Sequence, residues 1–227
     1  MPIRLDQRLT AIANLADYGK VADVGCDHGK LGYYLVSTDR ASEVIATDVS
    51  APSLKKAKEL AFENGVSDVM HARLGDGLDC VASEEVDTVI IAGLGGDVIS
   101  GILQRARKDG KTFSSFILSP NTHPEKVRRE IVASNHTIVV DRLLECGGKI
   151  YTIIKTRKGE SSLDDMQILF GAFYKQSDDF AFFAQKELDA LCDIVKRNTE
   201  AQLKGRIDLL KSALGERIHK EEQDENN

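Results

Sequence analysis

The chain has 227 residues, 42% of them hydrophobic and 29% charged, which is the balance of an ordinary water-soluble domain. No apolar run approaches the roughly 18 residues that a membrane-spanning helix needs, and the N-terminus does not have the pattern of a secretory signal. The four cysteines and five histidines show no metal-ligand spacing. We therefore expect a cytoplasmic protein with reduced thiols, no metal and no membrane partner.

The net charge of −6 is distributed unevenly along the chain. Residues 1–103 contain 9 Lys+Arg against 16 Asp+Glu, and residues 159–227 contain 9 against 15. Residues 104–158, hereafter the basic block, contain 12 against 5. The basic block has two interpretations, which are solvated side chains on surface helices or a face that meets phosphates.

The first 160 residues alternate between helical and strand patterns. In chain order the patterns fall at 5–16 (helix), 20–25 (strand), 30–38 (helix), 43–50 (strand), 51–64 (helix), 69–77 (strand), 86–96 (strand), 97–110 (helix), 114–121 (strand), 123–135 (helix) and 136–158 (two strands). The last pair is joined by Gly147-Gly148, which predicts an antiparallel hairpin. This order predicts an open α/β sheet, mostly parallel, with helices on both faces.

The character of the chain changes near residue 161, after which no strand pattern remains. Two apolar stripes at helical spacing predict two helices that pair as a helical hairpin or coiled coil. The stripes consist of Phe180, Ala184, Leu188, Leu191 and Val195, and of Leu203, Ile207, Leu210 and Leu214. We therefore expect an α/β domain over 1–160 and a small helical domain over 161–227. The alternative is that these helices simply pack on the sheet.

Glycines and acids recur where the predicted strands end. They lie at Asp23 to Gly29, Asp48, Asp76, Gly93 to Asp97 and Ser119 to Asn121. Ligands of open parallel sheets bind beyond the carboxyl ends of the strands. Any one of these acids is explained well as a helix or turn cap, but several at successive strand ends favour a binding site.

The first turn argues against a dinucleotide. In the segment "GCDHG" the position that a dinucleotide fingerprint gives to its second glycine holds Asp27, whose carboxylate would repel a diphosphate. S-adenosylmethionine fits better, because it has no phosphate and carries a sulfonium and an ammonium. We expect Asp23 and Asp27 near those cations, Gly25 close to the ligand, Asp48 on the ribose hydroxyls and Asp76 on the adenine amino group.

Five segments carry a family resemblance: "ADVGCDHGKL", "ATDVS", "ARLGDGL", "VIIAGLGG" and "LSPNTHPEKVRREI". In this order they resemble the bacterial TrmK family, tRNA methyltransferases that act on N1 of adenine 22 in the D-arm. The resemblance covers about the whole chain. It implies a Rossmann-like class I methyltransferase sheet, S-adenosyl-L-methionine as methyl donor, and a helical C-terminal domain that contacts tRNA.

The site assignments follow from these patterns. Asp27 is expected to stabilise charge that develops on the base, and Asn121 or backbone groups of Gly93 to Gly96 to orient the adenine. The cofactor set is Asp23, Gly25, Asp27, His28, Asp48, Asp76, Gly77, Gly93 and Leu94. The substrate set is Gly95, Gly96, Pro120 and Asn121 at the strand ends, with Arg105, Lys126, Arg128 and Arg129 from the basic block for RNA phosphates.

Two other function classes remain open on the residues alone. One is a methyltransferase for a protein or a small molecule, and the other is a non-catalytic S-adenosylmethionine-binding module. Methyl transfer to tRNA by the purified protein would separate all three. We expect a monomer or a weak dimer.

Overall fold

The computed structural model describes residues 3–195 and 201–224. They fall into two compact units that divide between Ser162 and Leu163. No helix among these residues is long and apolar enough to cross a membrane.

The first unit is built on a seven-stranded sheet in the order β3-β2-β1-β4-β5-β7-β6. Its elements are α1 Gln7–Ala13, β1 Lys20–Val24, α2 Lys30–Ser37, β2 Glu43–Asp48, α3 Ala51–Glu63, β3 Met70–Leu74, β4 Thr88–Ala92, α4 Gly96–Lys108, β5 Ser115–Ser119, α5 Pro124–Ala133, β6 His136–Cys146 and β7 Lys149–Lys158. Strands β1 to β5 are parallel, and β7 is antiparallel to both β5 and β6. This confirms the predicted Rossmann-like sheet with its C-terminal hairpin.

The centre of the sheet is covered on both faces, as the predicted arrangement of helices requires. Val89, Ile90 and Ile91 are fully buried, and Ile117 and Leu118 of the neighbouring β5 are too. Parallel strands of this kind place all their carboxyl ends at one edge of the sheet. That edge is hereafter the carboxyl edge.

Local sequence signals set the ends of several elements. The Ser50 hydroxyl accepts a hydrogen bond from the Ser53 amide and caps α3, as expected of a serine before a helical pattern. Gly147 and Gly148 have φ angles of +60° and +73°, which are the two positive values that a tight two-residue hairpin turn requires. The β6–β7 hairpin therefore turns where its two glycines stand.

The second unit is helical, with α6 Asp165–Phe170, α7 Asp178–Val195 and α8 Ala201–Asp224. Phe180, Ala184 and Leu188 of α7 pack with Ile207 and Leu210 of α8 in one buried cluster. The predicted pairing of two apolar stripes is therefore confirmed. Helix α6 was not predicted. Its Phe170 joins the same cluster and meets the Phe180 ring edge-on at 5.4 Å.

Candidate active site

A cavity of about 490 Å³ opens at the carboxyl edge. The β1–α2 loop, the ends of β2 and β4, the segment after β3 and one turn of α1 line it. All nine residues predicted to bind the cofactor border this cavity: Asp23, Gly25, Asp27, His28, Asp48, Asp76, Gly77, Gly93 and Leu94. Their placement agrees with the topology of the sheet, and their binding role stays a prediction.

The β1–α2 loop is shaped by its backbone. Gly25, Asp27 and Gly29 all have φ angles between +51° and +71°, in the left-handed region. At Gly29 a side chain is also excluded by space, since a Cβ would stand 2.6 Å from Met70 Cε and 2.8 Å from Ala57 Cβ. The loop is therefore packed tightly onto α3 and β3 while Asp27 points its exposed carboxylate outward.

Asp48 ties two loops together. One carboxylate oxygen accepts from the Asp27 amide at 3.0 Å, and the other accepts from the Ser50 amide at 2.8 Å. Hydrogen bonds to a carboxylate are stronger than neutral ones, so this acid fixes the β1–α2 loop against the end of β2. Each oxygen keeps a further lone pair for a ligand hydroxyl.

Asp23 is buried at the floor of the cavity, where it accepts a hydrogen bond from the Gly32 amide at 3.2 Å. Burial raises the pKa of Asp23 to about 7, and the charge of Asp48 adds to the shift, while the Gly32 hydrogen bond opposes it. Asp23 therefore titrates near neutral pH.

Cys26 lies in the same loop and also borders the cavity. Its thiol donates a long hydrogen bond, 3.8 Å, to the carbonyl of Asp27. Burial raises the pKa of Cys26 far above the usual thiol range, and the carboxylates of Asp23 and Asp48 raise it further. The sulfur is thus held as a neutral thiol at neutral pH.

His28 connects Asp27 to a lysine that sequence reasoning missed. The His28 Nδ1 lies 3.0 Å from the Asp27 carboxylate, and its Nε2 lies 2.9 Å from the Lys56 ammonium on α3. A lysine ammonium can only donate, so His28 Nε2 accepts and its Nδ1–H donates to Asp27. Nothing in the sequence marks Lys56 apart from its two neighbouring lysines, Lys55 and Lys58.

Asp76 is placed at the far side of the cavity, beside a cation. Arg105 of α4 pairs with Asp76 at 2.9 Å and approaches Asp79 at 3.7 Å. Arg105 was predicted to contact RNA phosphates. In the structure its side chain forms ion pairs with the segment after β3. Two exposed apolar side chains, Val49 and Val98, also border the cavity.

Asn121 is held in position by three contacts at the ends of β4 and β5. Its side-chain amide donates to the Gly93 carbonyl at 2.6 Å, and its backbone amide donates to the Leu94 carbonyl at 2.8 Å. Its Oδ1 accepts from Arg8 Nη1 at 3.3 Å. Arg8 itself borders the cavity and was not among the predicted residues. It stands beside Leu9 at the margin of an apolar stripe, a position that carries no chemical signal in the sequence.

Gly96, one of the predicted substrate residues, is packed closely against the segment before α5. A Cβ at Gly96 would stand 2.3 Å from the Thr122 carbonyl oxygen and 2.4 Å from that of His123, so only glycine fits where α4 begins. The Gly96 amide donates to the Thr122 carbonyl at 2.8 Å. Gly96 and Pro120 are both buried and Gly95 is partly exposed, and contact of these residues with substrate stays a prediction.

Arg128, in the basic block, does not have its predicted role. It was expected to meet RNA phosphates, but its side chain is 2% exposed and forms a two-pronged ion pair with Asp141 of β6, at 2.7 and 3.0 Å. A cation at that depth cannot reach a phosphate on another molecule. The sequence pattern "KVRRE" does not reveal which arginine faces inward.

Three other cations of the block, Arg107, Lys126 and Arg129, lie on the neighbouring helices α4 and α5. Arg107 pairs with Glu130 at 2.9 Å, and Lys126 pairs with Asp97, which His123 also contacts. Arg129 is exposed. Of the predicted set, Lys126 and Arg129 lie on α5 and are exposed, and their contact with RNA phosphates stays a prediction.

Within residues 3–195 and 201–224, no group of three or more His, Cys, Asp or Glu side chains could hold a metal ion. The cavity is lined by carboxylates, backbone groups and apolar side chains, with Arg8 and Lys30 also on its border.

Comparisons with known proteins agree with this architecture. Residues 5–154 match the family model of a methyltransferase domain. The chain is 30% identical over 159 residues to the tRNA (adenine(22)-N(1))-methyltransferase of Bacillus subtilis strain 168, covering 70% of this chain and 67% of that protein.

Solved structures extend the likeness to the helical unit. The crystal structure of the B. subtilis m1A22 tRNA methyltransferase TrmK is 26% identical, with a TM-score of 0.79 over 95% of this chain and 98% of that one. The Streptococcus pneumoniae protein Sp1610, solved in complex with S-adenosyl-L-methionine, is 27% identical, with a TM-score of 0.83 over 93% of this chain and all of that one.

Proposed function

The chain belongs to the TrmK family of tRNA adenine-N1 methyltransferases, and we propose that it transfers a methyl group from S-adenosylmethionine to N1 of adenine 22 in the D-arm of tRNA. Such a reaction takes place in the cytoplasm, where tRNA is matured. The single observation that carries the proposal is the ring of carboxylates around one cavity at the carboxyl edge.

The residues of the cavity fit S-adenosylmethionine by their chemistry. Three carboxylates, Asp23, Asp27 and Asp48, face a volume of about 490 Å³, within the usual range of small-molecule sites. The negative charges of these carboxylates attract an ammonium and a sulfonium and repel phosphates. The exposed side chains of Val49 and Val98 offer an apolar slot for an adenine ring.

Each acid has a separate task in this proposal. Asp48 holds the ribose hydroxyls with the lone pairs that its amide partners leave free. Asp23, ionised when a cation lies above it, holds the ammonium. Asp76, kept in place by Arg105, lies at the adenine end.

When bound, S-adenosylmethionine supplies an electrophilic methyl group, which passes to the N1 lone pair while the sulfur retains the bonding electrons. Adenine N1 is unprotonated near neutral pH, so no base is needed before attack, and positioning supplies most of the rate. The methylated base is cationic until it loses an N6 proton. Asp27, oriented by His28 and Lys56, stabilises that charge as it develops.

The helical unit is proposed to contact the tRNA. Its net charge is negative, so individual cations rather than a broad field would make the contacts. Lys204 is exposed on α8, whereas Arg206 pairs with Glu187 at 2.8 Å and lies over the Phe170 ring. Lys204 is therefore the better candidate for a phosphate contact.

The test is methyl transfer to a defined tRNA by the purified chain. An unmodified transcript with adenine at position 22 should accept one methyl group, mapped to N1 of that base by a block to reverse transcription. The matched control is the same transcript with guanine at position 22, which should accept none. Equal labelling of both transcripts, or methylation of a protein or small molecule only, would refute the proposal.

A further inference from the structure

Arg8 lies where the cavity meets the ends of β4 and β5. It projects from α1 to the border of the cavity and reaches the ends of β4 and β5. Its guanidinium nitrogens are the nearest atoms to where a Gly93 side chain would begin, at 3.5 and 3.8 Å. It donates to Asn121 Oδ1 at 3.3 Å. Arg8 therefore stands between the predicted cofactor residues and the side of the sheet where Asn121 lies.

Tyr151 supports Arg8 from the β6–β7 hairpin. The Arg8 guanidinium carbon lies 4.7 Å from the centroid of the Tyr151 ring, in a cation–π contact. In the antiparallel pairing Ile154 of β7 lies opposite Leu118, one residue before β5 ends at Ser119. By the same register Ile153 lies opposite Ser119, the last residue of β5, and Tyr151 lies two residues beyond that point. At about 3.3 Å per residue, Tyr151 extends about 7 Å past the end of β5.

Together these contacts present a planar cation at the border of the cavity. The guanidinium carbon lies over the Tyr151 ring, and one guanidinium nitrogen donates to Asn121 Oδ1. Sequence-specific RNA recognition uses unstacked bases that stack on aromatic side chains or on arginine guanidinium planes. A base that an enzyme modifies must also leave its own stack before it can reach the active site.

We propose that Arg8 and Tyr151 form the subsite that receives the target adenine, which stacks on the Arg8 guanidinium while Tyr151 braces it from behind. Asn121 orients this platform through its bond to Arg8. The inference rests on the proposed function, because it names where the base of that RNA substrate binds.

The charge of Arg8 predicts which kinetic constant it affects. A guanidinium stacks favourably on a neutral adenine, but it repels the cationic base that methyl transfer produces. Arg8 therefore assists binding of the substrate base and does not favour retention of the product. Its loss should raise the KM for tRNA more than it lowers kcat.

The experiment compares five proteins: wild type, Arg8→Lys, Tyr151→Leu, Tyr151→Phe and Arg4→Lys. Arg8→Lys keeps the charge but removes the planar face, and Tyr151→Phe keeps the ring. Arg4→Lys is the matched control, because Arg4 is exposed on the same N-terminal segment and does not border the cavity. The measurements are kcat and KM for unmodified tRNA, and the Kd for S-adenosylmethionine.

We expect Arg8→Lys and Tyr151→Leu to raise the KM for tRNA about tenfold, the range of one lost base stack. Tyr151→Phe and Arg4→Lys should stay within about twofold of wild type, and all five proteins should bind S-adenosylmethionine alike. A transcript with 2-aminopurine at position 22 gives a second readout. Its fluorescence should rise when the wild type draws the base out of the stack, and rise less with the two disruptive variants.

Three results would overturn the subsite. The first is an unchanged KM and an unchanged 2-aminopurine signal for Arg8→Lys. The second is a loss of S-adenosylmethionine affinity that equals the loss for tRNA, which would assign Arg8 to the cofactor. The third is an Arg4→Lys protein as impaired as Arg8→Lys, which would trace the effect to the N-terminal segment in general rather than to the subsite. A wild type that methylates no tRNA would instead refute the proposed function itself.

Discussion

Two regions of the first unit hold their charges in opposite ways: the carboxyl edge at β1 and β2, and the helices α4 and α5. On the side of β1 and β2, the acids Asp23 and Asp48 take hydrogen bonds from backbone amides and keep their carboxylates facing the cavity. On helices α4 and α5, Arg105, Arg107 and Arg128 are each paired with a carboxylate of the same unit. A charged residue thus indicates a binding site only when the fold leaves its charge facing the ligand.

The largest expected effect comes from Arg128. Replacing it with Met should leave Asp141 buried without its ion-pair partner and lower the free energy of unfolding by about 3–5 kcal/mol. Denaturant unfolding measures this loss. The control is the double variant Arg128→Met with Asp141→Leu, which removes both charges and should recover much of the stability. If the Arg128→Met protein were stable but bound tRNA more weakly, the original prediction that Arg128 contacts RNA phosphates would be supported instead.

Asp48 tests the other half of the comparison. Asp48→Asn removes the charge that strengthens the hydrogen bonds from the Asp27 and Ser50 amides. The same change weakens the proposed hydrogen bonds from the ribose hydroxyls, and a charge-assisted bond is worth about 1.5–3 kcal/mol. The affinity for S-adenosylmethionine should therefore fall at least about tenfold. Calorimetric titration measures it, with Asp39→Asn, at a positive-φ turn position away from the cavity, as control. Unchanged affinity would remove Asp48 from the site.

Asp23 should make cofactor binding depend on pH. Its pKa of about 7 means that half of the free protein carries a neutral Asp23 at that pH. If the ammonium binds only the carboxylate, affinity should rise about tenfold between pH 6 and pH 8 and then level off. In Asp23→Asn the affinity should be weaker and nearly independent of pH. A wild-type profile that is flat over this range would contradict the assignment.

The same shift has a consequence of opposite sign for folding. Because the folded-state pKa of Asp23 lies above its unfolded value, the folded state binds more protons between about pH 4 and pH 7. This residue therefore lowers stability as pH rises through that window, and its contribution is constant above it. Asp23→Asn should remove this part of the pH dependence of the melting temperature.

The smallest effect is expected from the cations left near the start of α5. Changing Lys126 and Arg129 to Ala should flatten the salt dependence of tRNA affinity by about one unit, because Asp97 already engages Lys126. The matched control changes Lys20 and Lys158 to Ala, which removes the same charge at the opposite edge of the sheet. An equal change in both double variants would show a general charge effect rather than a contact.

The sequence predicted those features that depend on periodicity and on residue type at a strand end. The β4 run, the Gly147-Gly148 turn and the two apolar stripes each produced the expected element. The nine residues around the cavity could be named because parallel strands bring their ends together.

What could not be predicted depends on which way a side chain points. Arg128 and Arg129 are adjacent and chemically identical, yet one is buried and the other is exposed. Gly96 resembles a ligand-contacting glycine until the carbonyls of Thr122 and His123 are seen beside it. Arg8 and Lys56 meet the site from elements that are distant in the chain, and no motif marks either of them.

The protonation state of Cys26 determines how easily the methyl donor could methylate the protein itself. A thiolate is a far better nucleophile toward a methyl sulfonium than a ring nitrogen, and this sulfur borders the cavity where the methyl donor is proposed to bind. Burial and the surrounding carboxylates keep the thiol protonated. Burial, together with the acids proposed to attract the cationic cofactor, would thereby also protect the protein from methylating itself and slow thiol-directed alkylating inhibitors at the same position.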